Sequence, residues 1–341
     1  MRVLAALSGG VDSSVAAALL LEEGHEVVAA TMKLWRGAAV EVGCCSEAEI
    51  DDARRVARML GIDHHVFTFT DDFDRHVVEP YVAGHAAGRT PNPCIACNDH
   101  IKFDRFLRRA TQLGFDAVAT GHHARLVERG GRVRLLRGAD PAKDQSYVLH
   151  GLGAATLARC RFPVGDLTKD EVRRRAAALD LPVAAKPDSQ DACFVLTEGG
   201  RASFLGSRIP LKPGRIIDVT GEDAGSVPAL ELVTVGQRRG MGARGQRRYA
   251  VAVDVVAGTV VVGPREATMV DEVAVTNMRW IGPPVGADDE VFAQCSAHGE
   301  PVPARVDGAV VRFAEPRPRV APGQSVVLYD GDEVLGGGEA A

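Results

Sequence analysis

The amino-acid sequence predicts an α/β protein in which a parallel sheet fills roughly the first 200 residues and two smaller β-rich modules follow, the last a small barrel. Two observations carry this. Up to about residue 200 short apolar runs alternate with segments of helical period, and beyond it short Val-rich runs are separated by Gly, Pro and Asp turns. A length of 341 residues exceeds one ordinary domain, 46% hydrophobic content suffices for buried cores, and 25% charged content argues against disorder. The expected division is 1–200, 201–264 and 265–341, with a join near Val262-Gly-Pro-Arg-Glu.

Arg2 to Leu7 is a short apolar run ending in Ser8-Gly9-Gly10, and small and aliphatic residues then recur at helical spacing from Val11 to Leu21, so strand, loop and helix follow in order. Val27 to Met32 predicts a second strand. Glu47 to Leu60, with acids in its first turn and arginines later, predicts a helix, and Asp63 to Thr70 a third strand. Ile101 to Leu113 and Lys169 to Leu179 have helical period, and Ala117 to Gly121 is a strand entering a loop. In the second half Arg215–Val219, Tyr249–Val256, Thr259–Val262, Val306–Phe313 and Ser325–Tyr329 are expected to form antiparallel β modules.

Forty basic and 45 acidic residues leave a net charge of −5, so nucleic-acid binding would require a local basic patch. Arg238, Arg239, Arg244, Arg247 and Arg248 form one, with no acid among them. A solvated basic loop is the plainer reading of the same residues. The beginning of the chain lacks the pattern of a secretory signal, and no run approaches the roughly 18 apolar residues of a membrane span. A cytoplasmic protein with no membrane partner is expected. Seven cysteines, an odd number in a long chain, fit a reducing compartment better than a disulfide framework.

The chemistry concentrates in a few segments. Ser8-Gly9-Gly10-Val11-Asp12-Ser13-Ser14 stands where the first strand meets the first helix: paired glycines let backbone N–H groups close on an anion, and the helix N-terminus adds its positive dipole end. No lysine completes a Walker pattern. Cys94-Ile-Ala-Cys97 places two thiols at C-x-x-C spacing after the proline-stiffened Thr90-Pro-Asn-Pro turn and ahead of the Ile101 helix, where a thiol is favoured as thiolate. The pair could equally be half of a zinc site, but the remaining candidates Cys44 and Cys45 are adjacent rather than spaced. Cys193 lies in the polar stretch Lys186-Pro-Asp-Ser-Gln-Asp-Ala-Cys-Phe194. Adjacent His64-His65 and His122-His123 point to opposite faces if extended, which disfavours a metal there.

The Ser8–Ser14 segment resembles the PP-loop of the ATP pyrophosphatase superfamily, whose members cleave ATP between the α and β phosphates. Joined to Thr90-Pro-Asn-Pro-Cys-x-x-Cys-Asn, Thr120-Gly-His-His, Lys143-Asp-Gln-Ser-Tyr, the Cys193 segment, Gly236-Gln-Arg-Arg-Gly, Pro322-Gly-Gln-Ser and Gly336-Gly-Gly, it resembles the tRNA-specific 2-thiouridylase family over essentially the full chain. That resemblance implies ATP-dependent 2-thiolation of the wobble uridine of tRNA. It implies that Ala6, Leu7, Ser8, Gly9, Gly10, Val11, Asp12, Ser13, Met32 and Gly121 hold ATP, that Cys97 is the catalytic thiol and that Cys193 carries a persulfide. It places His122, Lys143, Asp144, Gln145, Arg312, Phe313 and Gln324 toward the tRNA. Magnesium is expected with the ATP phosphates, with Asp12 as the candidate ligand. A persulfide-donating sulfur-relay protein or cysteine desulfurase is the implied partner, a Cys97–Cys193 disulfide the implied by-product, and a monomer the expected state. Many relatives have Asp where this chain has Cys94, so Cys94 is assigned an accessory role only.

The residue types fit this chemistry independently. Replacing a carbonyl oxygen by sulfur requires activating the oxygen, which adenylation does, and then a sulfur nucleophile, which a cysteine persulfide supplies. Two alternatives stay open: an iron–sulfur cluster held by Cys94, Cys97 and Cys193, as in some tRNA thiolases, and a small-molecule adenylating synthetase of the same superfamily.

Overall fold

The computed structural model describes residues 1–35, 47–188, 193–195, 200–241 and 247–341. They belong to two compact units. The first runs over Met1–Val77, Cys94–Thr197 and Asp332–Leu335, and the second over Val78–Pro93, Glu198–Gly331 and Gly336–Ala341. Cys44, Cys45 and Arg244 lie outside the described residues. No described helix is long and apolar enough to cross a membrane.

The first unit is built on strands β1 (Arg2–Ala6), β2 (Glu26–Lys33), β3 (His64–Thr68) and β4 (Ala117–Ala119), a hairpin of β5 (Ala124–Arg129) and β6 (Arg132–Arg137), and the short β7 (Cys160–Arg161). The sheet order is β3-β2-β1-β4-β7 and every pair is parallel, as the βαβ alternation predicts. Val3, Leu4 and Ala5 are buried almost completely because helices cover the sheet. Helix α1 (Val11–Glu22) buries Val11, Val15, Ala16, Ala17 and Leu20, and α2 (Glu47–Met59) turns Ile50, Ala53, Val56 and Ala57 inward at helical spacing. Each buried Val or Leu contributes about 1.5–3 kcal/mol of transfer free energy.

Two local features differ from the sequence reading. The thiols expected just ahead of a helix are already helical: Pro93–Ala96 forms a short helix and Cys97–Arg105 a π-helical stretch that continues into Phe106–Gln112. Pro93 suits a first helical position because its ring presets φ and it has no N–H to satisfy. The β5–β6 hairpin was not anticipated, although Gly130 and Gly131, at φ +60° and +70°, make the two-residue turn that such a hairpin favours.

The second unit contains a small sheet of β8 (Gly214–Asp218), β9 (Asp223–Val227), β10 (Tyr249–Asp254) and β11 (Thr259–Gly263), in the order β10-β11-β8-β9. Its interior is formed by Ile216, Val227, Leu230, Met241, Val260 and Val262. The module is not wholly antiparallel, because β8 and β11 pair in parallel. Hairpins force only sequential neighbours to be antiparallel, and these two strands are not joined by a tight turn.

Strands β12 (Met269–Trp280), β13 (Val291–Gln294), β14 (Val302–Asp307), β15 (Val310–Pro318), β16 (Ser325–Asp330) and β17 (Glu333–Ala340) follow in the order β12-β15-β14-β13-β16-β17. The return pairing of β17 on β12, Val275 with Ala340 and Trp280 with Gly336, closes the expected barrel. The single run expected from Val306 to Phe313 is two strands, broken at Gly308, whose φ of +60° suits the turn. Gly338 closes the seam by necessity, since a Cβ there would stand 2.5 Å from the Thr276 carbonyl oxygen.

Within this second unit the helix Glu79–Ala86 buries His85 against the turn Leu230–Leu232: its Nδ1 lies 3.0 Å from the Glu231 carbonyl oxygen and Tyr81 packs edge-on at 4.6 Å. Burial pushes the imidazole from 6.5 down to about 4. A depressed histidine contributes stability that is complete above pH 6.5 and is lost as pH falls toward 4, because the unfolded chain takes up the proton first. Replacing His85 with Gln, which cannot take the charge, is therefore expected to flatten the dependence of the urea midpoint on pH between 6.5 and 4.

Candidate functional site: an anion loop backed by a charged cluster

The order β3-β2-β1-β4-β7 makes the chain turn one way from β1 to β2 and β3, and the other way to β4 and β7. The loops after β1 and β4 therefore flank a topological switch point at the carboxyl ends of the strands, the usual ligand crevice of an open α/β sheet. Ser8–Gly10 is the loop after β1 and Thr120–His123 the loop after β4.

Gly9 holds φ +74°, and a Cβ there would run into the Glu49 backbone carbonyl, so glycine is required on both counts. The Ser8 N–H donates to Ser13 Oγ at 3.2 Å, and the Ser13 and Ser14 hydroxyls both donate to the Gly10 carbonyl, at 3.1 and 2.8 Å. Gly10 starts α1 with no side-chain cap. The helix thus presents its dipole end toward the crevice without a competing side chain, the arrangement that favours phosphate. Gly121 backs the loop: a Cβ on it would stand 2.5 Å from the Ser13 nitrogen and 2.6 Å from the Asp12 carbonyl carbon. Ala6 and Leu7 are buried at the end of β1, and Met32 lies half-buried at the carboxyl end of β2.

Asp12, in the first turn of α1, is gripped from two sides. The Lys169 ammonium donates to both of its oxygens at 2.7 Å, and His123 Nε2 lies 3.1 Å from Oδ1. Burial pushes the Asp12 carboxyl up, but the hydrogen bonds from His123 and Lys169 and their charges outweigh it and hold the group below its ordinary value. Lys169 also meets Asp188 at 2.9 Å, and Asp188 is held as well by Lys143 at 2.8 Å and Arg173 at 2.9 Å. There too burial opposes ionisation, yet hydrogen bonds from Lys143 and Lys169 bring the carboxyl down to about 2. Lys186 donates to the Gly9 carbonyl at 2.9 Å and to Asp52 at 2.8 Å, tying the segment that leads to Cys193 to the anion loop. His123, Lys169, Arg173 and Asp188 were not assigned a role from the sequence; Thr168 and Glu171 form a capping box that marks the helix start, but nothing local links Lys169 to a carboxylate 157 residues away.

Asp12 was the candidate magnesium ligand. With both oxygens on the Lys169 ammonium and one beside His123, its donor set does not make a divalent-cation site. Among the described residues no group of three or more His, Cys, Asp or Glu side chains stands where it could hold a metal ion.

Of the five described cysteines, Cys160 is buried, while Cys94, Cys97, Cys193 and Cys295 are half-buried. Burial pushes the Cys160 thiol up to about 12 and that of Cys295 to about 11, which suppresses their thiolates. Cys193 is followed by Phe194, 3% exposed, whose ring stacks on Trp35 at 6.3 Å and meets Phe73 edge-on at 5.6 Å, an aromatic anchor for the thiol beside it.

The residues expected to face tRNA divide in the same way. Lys143 is partly exposed, its ammonium favoured by the Asp188 hydrogen bond. Gln145 is exposed, although its Oε1 accepts from the His123 N–H. Arg312 is exposed on β15, paired with Glu272 and Asp307, and the Gln324 amide donates to the Thr90 carbonyl. Three side chains are consumed by the fold rather than displayed. Asp144 accepts from Arg137, Gly138 and Ser146, His122 is buried between Phe103 and Phe162, and Phe313 is 8% exposed in the barrel. In the basic cluster Arg238, Arg239 and Arg247 are exposed while Arg248 pairs with Asp218 at 3.6 Å.

The contact behind the loop can be tested directly. Overpacking of this kind costs about 1–3 kcal/mol, so Gly121→Ala is expected to weaken ATP binding by roughly tenfold or more, measured by titration calorimetry. Unchanged affinity would show that the loop does not depend on this contact.

Comparison with known proteins agrees with this geometry. Residues 1–197 match the tRNA methyl transferase HUP domain, 202–264 the tRNA methyl transferase PRC-barrel domain, and 270–339 the aminomethyltransferase beta-barrel domain. The chain is 48% identical over 354 residues to a tRNA-specific 2-thiouridylase MnmA of Chloroflexus aggregans, covering 99% of this chain and 97% of that one. Proteins of the same name from Beutenbergia cavernae and Thermobifida fusca are 47% and 46% identical, over 98% of this chain and 93% and 94% of theirs. On its matched domains and its full-length identity, the chain belongs to the tRNA-specific 2-thiouridylase family.

Proposed function

We propose that the chain catalyses ATP-dependent 2-thiolation of the wobble uridine of tRNA, using a cysteine persulfide as the sulfur source. The observation that supports it most is the presence in one compact unit of an anion loop at the switch point and of three half-buried cysteines, Cys94, Cys97 and Cys193. The first half-reaction takes place at Ser8–Ser13 and Gly121, where the phosphates of ATP are held by backbone N–H groups and the α1 dipole. The uridine C2 oxygen forms a bond to the α-phosphorus, the α–β bridging bond breaks, and pyrophosphate leaves with the electron pair. In the second, the terminal sulfur of the Cys193 persulfide attacks C2 and AMP departs with the oxygen. The Cys97 thiolate then attacks the Cys193 sulfur, leaving thiouridine and a Cys97–Cys193 disulfide that a cellular thiol reopens.

The tRNA is expected to be held by its phosphates at cations such as Lys143, Arg238, Arg239, Arg247 and Arg312, while the unstacked anticodon base reaches the crevice beside the anion loop. A relay protein or desulfurase carrying a persulfide would load Cys193, and the enzyme acts as a monomer. In the persulfide reading Cys97 and Cys193 are the essential pair and Cys94 is accessory, whereas a cluster would require all three thiolates. A small-molecule synthetase would leave these three thiols without a task.

Two experiments test the reading. Cys97→Ser and Cys193→Ser are each expected to abolish thiolation while tRNA-dependent pyrophosphate release persists, and Cys94→Ser is expected to retain substantial thiolation in iron-free protein supplied with a persulfide donor. Thiolation that returns only after anaerobic iron reconstitution of the parent protein would establish the cluster instead. Affinity for tRNA should fall with salt by slightly under one log-log unit per phosphate contact, about 0.7 to 0.9. Equal affinity for a tRNA without a wobble uridine would remove tRNA thiolation as the function.

A further inference from the structure

The β5–β6 hairpin carries five arginines, and three of them have carboxylate partners within the same compact unit. Arg125 meets Asp332 at 2.8 Å, Arg134 meets Glu333 at 2.6 Å and Arg137 meets Asp144 at 2.9 Å. Arg129 and Arg132 have none: both are exposed, and among the described residues no carboxylate stands within ion-pair distance of either. They face each other in the last pair of the ladder, on either side of the Gly130-Gly131 turn. Like charges directly opposite one another destabilise a hairpin, so the fold gains nothing from this pair. Glu128, the one acid of the hairpin, adjoins Arg129 in β5 and so points to the other face. That other face also carries Ala124 and Leu135, both fully buried, and holds the hairpin to the body of the unit. The base is fixed. A Cβ on Gly165 would overlap the Ala124 carbonyl, and the Arg137 N–H donates to the Asp332 carbonyl at 2.9 Å. The tip is open, since a Cβ on Gly130 or Gly131 would meet nothing within 4 Å.

We propose that Arg129 and Arg132 form a phosphate clamp that grips the backbone of a base-paired RNA stem. This deepens the thiolation reading and rests on its assignment of tRNA as substrate. Strand β5 leaves directly from the Thr120–His123 loop beside the crevice, and five steps of about 3.4 Å carry the tip about 17 Å from that base. An arm of that length spans from a nucleotide base held at the crevice to the stem that carries it. The two side chains start about 5 Å apart at their Cβ atoms, and their planar guanidinium groups match the geometry of phosphate oxygens. The tip selects among partners. Residues 128–132 are Glu-Arg-Gly-Gly-Arg, with no aromatic ring on which an unpaired base could stack, so a duplex backbone fits and a single strand does not. Nor do they offer an aromatic or aliphatic side chain to anchor a protein interface, which sets an acidic protein aside. The bare glycine turn lets a phosphate reach both guanidinium groups with no side chain in the way.

The test measures binding of a transcribed tRNA to the full chain over a range of salt, with ATP affinity and the thermal midpoint as controls. Arg129→Gln combined with Arg132→Gln is expected to weaken binding at low salt by about tenfold and to lower the log-log salt slope by about 1.5, the loss of two phosphate contacts. ATP affinity should not change, and the thermal midpoint should hold or rise as the opposed charges are removed. In thiolation, KM for tRNA should rise while kcat at saturating tRNA is kept, the pattern of a contact made alike in ground and transition states. Arg129→Lys with Arg132→Lys, which keeps the charge, should restore the slope. An unchanged slope in the Gln variant would overturn the proposal. So would a lowered midpoint with ATP affinity falling in step, which would assign the arginines to the fold. A Gln variant that binds tRNA normally and accepts sulfur from a small persulfide, but not from a persulfide-carrying protein, would overturn it in favour of an acidic protein partner. If the slope falls as expected yet the parent chain thiolates no tRNA, the clamp stands and the thiolation reading falls instead.

Discussion

The approach of the first turn of α1 to the loop after β4 is the constraint on which the site depends. Gly121 meets the backbone of Asp12 and Ser13 at distances no side chain allows, and Gly9 clears the Glu49 carbonyl on the other side of the loop. With the loop pinned between these two contacts, its serines bond inward to Gly10 and Ser8 and the helix dipole faces the crevice. His123, two residues beyond Gly121, comes within reach of Asp12 as a direct result. A parallel sheet whose order reverses beside β1 brings these loops together in the first place.

The charges behind the loop follow from that placement. Asp12 and Asp188 are taken partly out of water, which by itself would raise their carboxyl groups, and both are lowered because cations meet them at hydrogen-bond distance. Such partly enclosed, shared pairs differ in kind from the exposed pairs of the barrel, such as Arg305 with Glu290, which contribute about 0–1 kcal/mol. Arg173 extends the network along the chain: besides Asp188 it donates to the carbonyls of Ala184 and Lys186, fixing the backbone that leads toward Cys193. The anion loop and the segment that leads to Cys193 are therefore braced by the same helix, Lys169–Ala178.

Burial sorts the cysteines by the same physics. A thiol in an apolar surround cannot readily ionise, so burial pushes up the thiols of Cys160, in the edge strand β7, and of Cys295, just after β13. The ring of Phe194 between Trp35 and Phe73 anchors Cys193 without enclosing it.

Features set within a few residues were legible in the sequence alone. The Ser8–Ser14 loop, the C-x-x-C pair, the capping box at Thr168 and the change from helical to strand texture near residue 200 depend on local backbone geometry and on periodicity. The Gly130-Gly131 hairpin belongs to the same class and was overlooked, although its local signal was present. Tertiary structure alone decided the rest: the parallel pairing of β8 with β11, the glycine seam that closes the barrel, and the enclosure of His122, Asp144 and Phe313. It also decided the meeting of Lys169 with Asp12 and Asp188. Sequence patterns state which face of an element is apolar, but which elements pack together, and so which distant charges must share one enclosed space, follows only once strand order and helix packing are set.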